Sequence, residues 1–150
     1  MKKSAIAEII AALLVFLFLY AAVSKLLDLD KFVYQLGQSP FITNISRFVA
    51  WAIPSAEILV SIALIIRRTR LAGLYLSLFL MLLFTGYIYM MLQYSSYLPC
   101  SCGGILSAMS WKQHFVFNLA VTALSLLGIT AQHTGAKEVV IISYDKQERC

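Results

Sequence analysis

The sequence predicts an all-α membrane protein in which four transmembrane helices form a bundle. Apolar residues make up 61% of the 150 residues, whereas soluble domains contain about 45–50%. Charged residues make up 13%, against about 25% in soluble domains. One domain of this length is too apolar to bury that surface in a soluble core. The composition therefore favours burial in lipid.

Four apolar runs are long enough to cross a bilayer, which takes about 20 helical residues. The predicted spans are residues 5–24, 49–66, 71–92 and 114–130. Because backbone amides must be hydrogen-bonded internally in lipid and the alternation of a barrel is absent, we expect helices. The first span is longer than the apolar part of a signal peptide, which favours a retained anchor.

These spans predict one transmembrane domain over residues 1–130, followed by a C-terminal tail over residues 131–150. The tail contains KEVVIISYD (137–145), a short β-prone run.

Basic residues predict the orientation of the helices, because cytoplasmic loops are enriched in Lys and Arg. Most of them lie at the N-terminus, between the second and third spans, and in the tail: Lys2, Lys3, Arg67, Arg68, Arg70, Lys137, Lys146 and Arg149. Both termini are therefore predicted in the cytoplasm. The basic residues form no stripe with interleaved aromatics, so lipid rather than nucleic acid is the expected partner.

The first outer loop contains a short amphipathic stretch, DLDKFVYQLG (28–37). Its apolar residues share one helical face: Leu29, Phe32, Val33 and Leu36. Asp28 can cap the start of this helix and Gly37 can end it. We expect it to lie flat at the membrane interface.

Cys100 and Cys102 lie in the second outer loop, where disulfides can form and persist. A bridge between them is geometrically possible but closes a very small ring, so it stabilises the fold little. Strained, exposed disulfides exchange readily, which favours a redox couple. Two alternatives remain open, namely free thiols packed at a helix end and a Cu(I) site with the nearby methionines.

Glu57 is an acidic residue near the middle of the second span. A charged residue there costs about 2.5–3.5 kcal/mol on insertion scales, so it is expected to face the bundle interior. Pro54 removes a helical hydrogen bond nearby and can open a polar pocket. Lys25 is the expected partner of Glu57, because its long stem can reach inward. The carboxyl could handle protons, face a quinone, or simply fix helix packing.

His114 and Asn118 lie one turn apart at the start of the fourth span. An imidazolium close to the cysteine loop would stabilise a thiolate ready for attack. The alternative is an interfacial histidine, with Asn118 joining helices through hydrogen bonds.

Four motifs resemble the MauE/DoxX-like family of redox-associated bacterial inner-membrane proteins. They are SKLLD (24–28), PSAE (54–57), CSCGG (100–104) and SWKQHFVFN (110–118), and the likeness covers about residues 5–130. The resemblance implies a multi-pass protein of the bacterial inner membrane. It implies Cys100 and Cys102 as the redox-associated pair, and a periplasmic thioredoxin-like protein or a disulfide-containing client as partner. It places Lys25, Glu57, His114 and Asn118 at motif positions.

Thiol–disulfide exchange through Cys100 and Cys102 is thus the predicted function. Such a protein could serve as a component of a thiol–disulfide oxidoreductase. No residue is assigned as a metal ligand. A quinone-linked oxidase is disfavoured because no second outer cysteine pair is present. The remaining alternative is a non-enzymatic Cu(I)-handling protein or assembly factor.

The orientation predicts how the cysteines react in intact cells. After reduction, a membrane-impermeant maleimide should label Cys100 and Cys102 but leave Cys150, the cytoplasmic terminal residue, unlabelled. Labelling is read by mass spectrometry of the alkylated peptides, with detergent-lysed cells as the control in which all three react. The reverse pattern would place the cysteine loop in the cytoplasm.

Overall fold

The computed structural model describes residues 2–38, 42–94 and 110–148. Within them the chain forms five α-helices and one short 3₁₀ turn. The helices are α1 (Lys2–Leu27), α2 (Leu29–Gly37), α3 (Ser46–Ile65), α4 (Arg70–Tyr94) and α5 (Trp111–Glu148), and the 3₁₀ turn is Thr43–Ile45. The predicted redox cysteines, Cys100 and Cys102, lie outside the described residues.

Four helical segments are long and apolar enough to cross a membrane. They are Ala5–Leu27, Thr43–Ile65, Arg70–Gln93 and Lys112–Thr134. They overlap the four predicted spans, so the prediction of an all-helical protein with four spanning helices is confirmed. The segments extend beyond the predicted spans at most ends, because a helix continues through polar residues once the apolar run has ended.

The spanning helices pack as a ring in which α1 and α4 each lie between α3 and α5. The face of α1 that points inward combines small and large residues: Ala7, Ala11, Leu14, Phe18, Ala21 and Ala22. Small residues let helix backbones approach closely, which matters in lipid because burial of apolar surface does not drive association there. Large apolar side chains such as Phe16 and Phe48 are about three-quarters exposed on the outer surface, at 73% and 74%. This is the surface expected to contact lipid.

Consecutive spanning helices are antiparallel, which gives the bundle two distinct ends. One end carries α2 and the ends of α4 and α5 that residues 95–109 connect, and we call it the α2 end. The opposite end carries the short turn between α3 and α4. There the Glu8 carboxylate lies 3.4 Å from Arg67 Nη2 and 3.3 Å from Arg70 Nη1. The turn that holds the predicted cytoplasmic arginines is thereby attached to α1.

The short helix expected in the first loop is present as α2, which lies within the predicted stretch of residues 28–37. Its cap differs from the prediction, because Asp28 occupies the N-cap position without a capping hydrogen bond from its side chain. Phe32 and Leu36 are buried against Ala50 of α3. Packing on α3 therefore holds α2 in place, and its position relative to the lipid surface stays a prediction.

The β-prone reading of residues 137–145 is wrong, because α5 is helical without a break to Glu148. A 38-residue helix is about 57 Å long at 1.5 Å per residue, much longer than a hydrocarbon layer of about 30 Å. A β-prone segment needs a partner strand to satisfy its backbone, whereas extension of an existing helix adds one hydrogen bond per residue. The tail therefore continues the helix.

Substitution by alanine should affect stability differently at two glycines of α4. A Cβ at Gly73 would lie 2.8 Å from the Leu64 backbone nitrogen, whereas a Cβ at Gly86 would meet no atom within 4 Å. We expect Gly73→Ala to destabilise the protein by about 1–3 kcal/mol because helix backbone must shift. Gly86→Ala, the matched control, should be neutral or stabilising by up to about 1 kcal/mol. Thermal unfolding in detergent measures both, and equal effects would contradict the close approach of α3 and α4.

Candidate functional site

A buried ion pair joins α1 to α3. Lys25 Nζ lies 2.7 Å from Glu57 Oε1, and it also donates a hydrogen bond to the Ala21 carbonyl at 3.3 Å. Glu57 is 1% exposed, and the ammonium lies 5.9 Å from the centre of the Phe84 ring of α4. The contact between Lys25 and Glu57 that the sequence predicted is confirmed.

Helical spacing explains why these two charges meet. Lys25 continues the inward stripe of α1, one turn after Ala21 and Ala22, so its stem starts inside the bundle. Glu57 lies on the buried face of α3 with Pro54 and Ser61, at a spacing of three and four residues. The α3 helix runs through Pro54 without a break. Pro54 is buried but does not line the cavity described below, so the pocket expected beside it lies around Glu57 instead.

One oxygen of this ion pair is unsatisfied. Glu57 Oε2 is buried and accepts no hydrogen bond from the residues that the structure describes. A carboxylate can accept about four hydrogen bonds, and a buried acceptor without a donor typically costs about 1–3 kcal/mol. The oxygen is therefore a site where a donor from another molecule would be bound favourably.

A cavity of about 100 Å³ adjoins the ion pair and is bounded by all five helices. Its polar lining residues are Lys25, Gln35, Glu57, Tyr87, His114 and Asn118. Much of the remaining wall is aromatic, with Phe18, Phe84 and Phe117 among the lining residues. The cavity thus combines flat apolar walls with a few polar groups, as small-molecule sites do.

The cavity brings together four of the predicted site residues. Lys25 comes from the end of α1, Glu57 from the middle of α3, and His114 and Asn118 from the first turns of α5. Asn118 is 4% exposed, and His114 is half-buried. The sequence suggested a link between His114 and the cysteine loop, and between Lys25 and Glu57. The structure shows that His114 and Asn118 line the same cavity as Lys25 and Glu57.

Two further residues line the cavity but were not predicted from the sequence as site residues. Gln35 belongs to α2 and Tyr87 to α4, and both engage in polar or ring contacts. The sequence does show that Gln35 lies next to the apolar face of the short helix. That position alone does not indicate which other helix Gln35 faces.

The polar stripe beyond Asn118 serves helix packing. Thr122 Oγ1 donates to the Asn118 carbonyl at 2.8 Å, and Ser125 Oγ donates to the Val121 carbonyl at 3.0 Å. Ser77 of α4 donates to Ser125 at 3.3 Å across the helix interface. Ser125 therefore links helices through a hydrogen bond.

Two of the methionines near the cysteine loop, Met90 and Met91, face different surroundings. Met91 is fully buried in the bundle, whereas the adjacent Met90 is 41% exposed on the outer side of α4. Successive residues on a helix point about 100° apart, so these two thioethers face different surroundings. Met109 lies outside the described residues.

A family model described as "methylamine utilisation protein MauE" matches residues 3–131. The matched region contains every predicted site residue, including the two cysteines of the second outer loop. Searches of curated proteins and of solved structures return no match.

We expect the stability of the protein to depend strongly on whether both charges of the ion pair are present. Lys25→Met leaves the buried Glu57 carboxylate without its cation, and we expect a loss of about 3–5 kcal/mol in the free energy of unfolding. The double variant Lys25→Met/Glu57→Leu should recover most of that loss, because no unpaired charge remains. Titration with sodium dodecyl sulfate in mixed micelles measures these values.

Lys31→Met provides the matched control, because Lys31 lies exposed on α2. It should change the free energy of unfolding by less than about 0.5 kcal/mol. A single variant Lys25→Met as stable as this control would show that the pair does not stabilise the bundle.

Proposed function

Because the chain belongs to the MauE family over residues 3–131, we propose that this multi-pass membrane protein exchanges thiols and disulfides through Cys100 and Cys102. The family match to the region that carries the Cys-x-Cys is the observation that supports the proposal most directly. We further propose that the protein resides in the bacterial inner membrane with this pair facing the periplasm. The excess of basic residues on the opposite loops and termini supports that orientation.

The exchange reaction needs only the two cysteines and a partner disulfide or dithiol. A thiolate of the pair attacks one sulfur of the partner disulfide, which forms a mixed disulfide and releases a partner thiolate. The second cysteine then attacks the mixed disulfide, which closes the Cys100–Cys102 bond and releases the reduced partner. The same steps run in reverse when the pair is oxidised and the partner is a dithiol.

The position of the cysteines in the chain supports coupling to the cavity. They lie between Tyr94, the last residue of α4, and Trp111, the first residue of α5. Tyr87 and His114, which line the cavity, are within two turns of those helix ends. His114 is thus a group of the cavity that stands near the thiol-bearing segment in sequence, and its proposed role is to stabilise the thiolate.

A periplasmic thioredoxin-like protein or a disulfide-containing client is the proposed partner. The family description refers to methylamine utilisation, so disulfide-containing proteins of that process are the first clients to test.

Single cysteine variants should trap the partner. In a Cys150→Ser background, replacement of the resolving cysteine by Ser leaves a mixed disulfide that cannot be released by the second thiol. We expect either Cys100→Ser or Cys102→Ser to accumulate an adduct that dithiothreitol removes. Non-reducing electrophoresis followed by mass spectrometry detects and identifies it.

The variant Cys100→Ser/Cys102→Ser in the same Cys150→Ser background contains no thiol, so it is the matched control and should form no such adduct. The proposal is wrong if neither single variant forms an adduct and the native pair stays reduced in cells that form disulfides normally.

A further inference from the structure

The cavity beside the ion pair is largely apolar but contains several groups that can bind water. Glu57 Oε2 is buried and accepts no hydrogen bond from any residue that the structure describes. Asn118 contributes a buried amide, which carries both donors and an acceptor. His114 adds an imidazole, and Gln35 and Tyr87 line the same space. A buried water typically makes about three hydrogen bonds, and these groups supply its partners.

The size and charge of the cavity favour water over other occupants. A volume of about 100 Å³ has room for about three waters, at roughly 30 Å³ per molecule in the liquid. It is smaller than the cavity of about 150 Å³ that binds benzene, so a six-membered ring is too large. An inorganic cation would be repelled by the Lys25 ammonium and an anion by the Glu57 carboxylate, because these groups lie 2.7 Å apart. A small neutral molecule that donates a hydrogen bond remains, and water is such a molecule.

The cavity extends from the interior of the bundle toward the α2 end. Glu57 lies in the middle of α3 and is 1% exposed. Gln35 belongs to α2, and His114 lies in the first turn of α5. Both of these lining residues are half-buried rather than enclosed. Water that enters beside them therefore has a path to the carboxylate.

We infer that water fills this cavity and that Glu57 binds and releases protons through it. Oε2 is the atom that takes the proton, because Oε1 already accepts a hydrogen bond from Lys25 Nζ at 2.7 Å. A hydronium ion in the cavity gives its proton to Oε2 and becomes water, while the carboxylate becomes a neutral carboxylic acid. Release runs the same step in reverse. Acidic residues of spanning helices that face water-filled cavities commonly serve as proton sites.

The surroundings of Lys25 let the carboxyl lose its charge while the bundle stays intact. The ammonium keeps its hydrogen bond to the Ala21 carbonyl at 3.3 Å. It also lies 5.9 Å from the centre of the Phe84 ring, whose face attracts a cation. These contacts do not depend on the charge of Glu57.

The other helices bring few titratable groups to the described lining of the cavity. These groups are Lys25 from α1, Tyr87 from α4 and His114 from α5. The lining residues of α2 carry no titratable side chain. Because His114 titrates near neutral pH in its ordinary state, proton binding by Glu57 has to be measured at the Glu57 carboxyl itself.

The test uses the full chain without cysteines, as the variant Cys100→Ser/Cys102→Ser/Cys150→Ser, isotope-labelled in lipid bilayers. Magic-angle-spinning NMR measures the transfer of magnetisation from water protons to side-chain carbons. We expect clear transfer to Glu57 and Asn118, because water lies against both.

Ser77 and Ser125 provide the matched control. They are fully buried and bonded to each other at 3.3 Å, and neither lines the cavity. They should receive little magnetisation from water.

Two variants of α5 test whether the cavity is the source of that water. Asn118→Leu removes a polar partner and fills space, so Glu57 should lose most of its transfer. Thr122→Val should leave the transfer unchanged, because Thr122 lies one turn further along α5 and bonds to the backbone of its own helix.

The chemical shift of the Glu57 carboxyl carbon, followed as the pH is lowered and raised again, measures proton binding. We expect a reversible shift from carboxylate to carboxylic acid while the protein stays folded. Glu57→Gln identifies the resonance by its loss. If that variant fails to fold, Lys25→Met/Glu57→Leu identifies it instead, because no unpaired charge remains.

The outcomes are decisive for the proton site and independent of the proposed function. Absence of transfer from water to Glu57 overturns the site, and so does transfer that Asn118→Leu leaves unchanged. A hydrated Glu57 whose carboxyl shift changes only when the protein unfolds also overturns it. None of these results affects the trapping of a partner by Cys100 and Cys102.

Discussion

The contact between Lys25 and Glu57 is the interaction on which the arrangement of the bundle depends. Either charge alone would be costly at this depth in a spanning helix. At 2.7 Å, with Glu57 1% exposed, the two charges compensate each other. The pair also ties the end of α1 to the middle of α3, which sets how far these helices are displaced along each other. The walls of the cavity follow from that displacement, because Lys25 and Glu57 are themselves part of them.

The ion pairs of the bundle are more exposed at one end than near the other. At the turn between α3 and α4, Glu8 pairs with Arg67 and Arg70, and Arg67 is largely exposed. Exposed pairs of this kind contribute little to stability and mainly keep the turn near α1. Near the α2 end the charges are buried and one carboxylate oxygen remains unsatisfied. Unsatisfied buried polar groups are rare in folded proteins, and a functional role is one of the recognised explanations for them. The asymmetry supports placing chemistry near the α2 end and anchoring at the other.

The cavity near the α2 end depends on the short helix as well as on the four spanning helices. The packing of α2 against α3 closes one wall of the cavity through Gln35 and Leu36. That short helix therefore belongs to the site as well as to the fold.

The sequence by itself determined the four spanning helices and the identity of α2. It also determined the pairing of Lys25 with Glu57, because lipid forces backbone hydrogen bonds into helices and forces lone charges to find partners. Local patterns could not foresee that His114 and Asn118 would line the same cavity as that pair. That outcome depends on how α5 is rotated and displaced against α1. The continuation of α5 to Glu148 was likewise undecided by composition, because β-prone residues adopt a helix when no strand is available to pair with them. Only tertiary packing decides such cases, since it selects which faces of the helices meet.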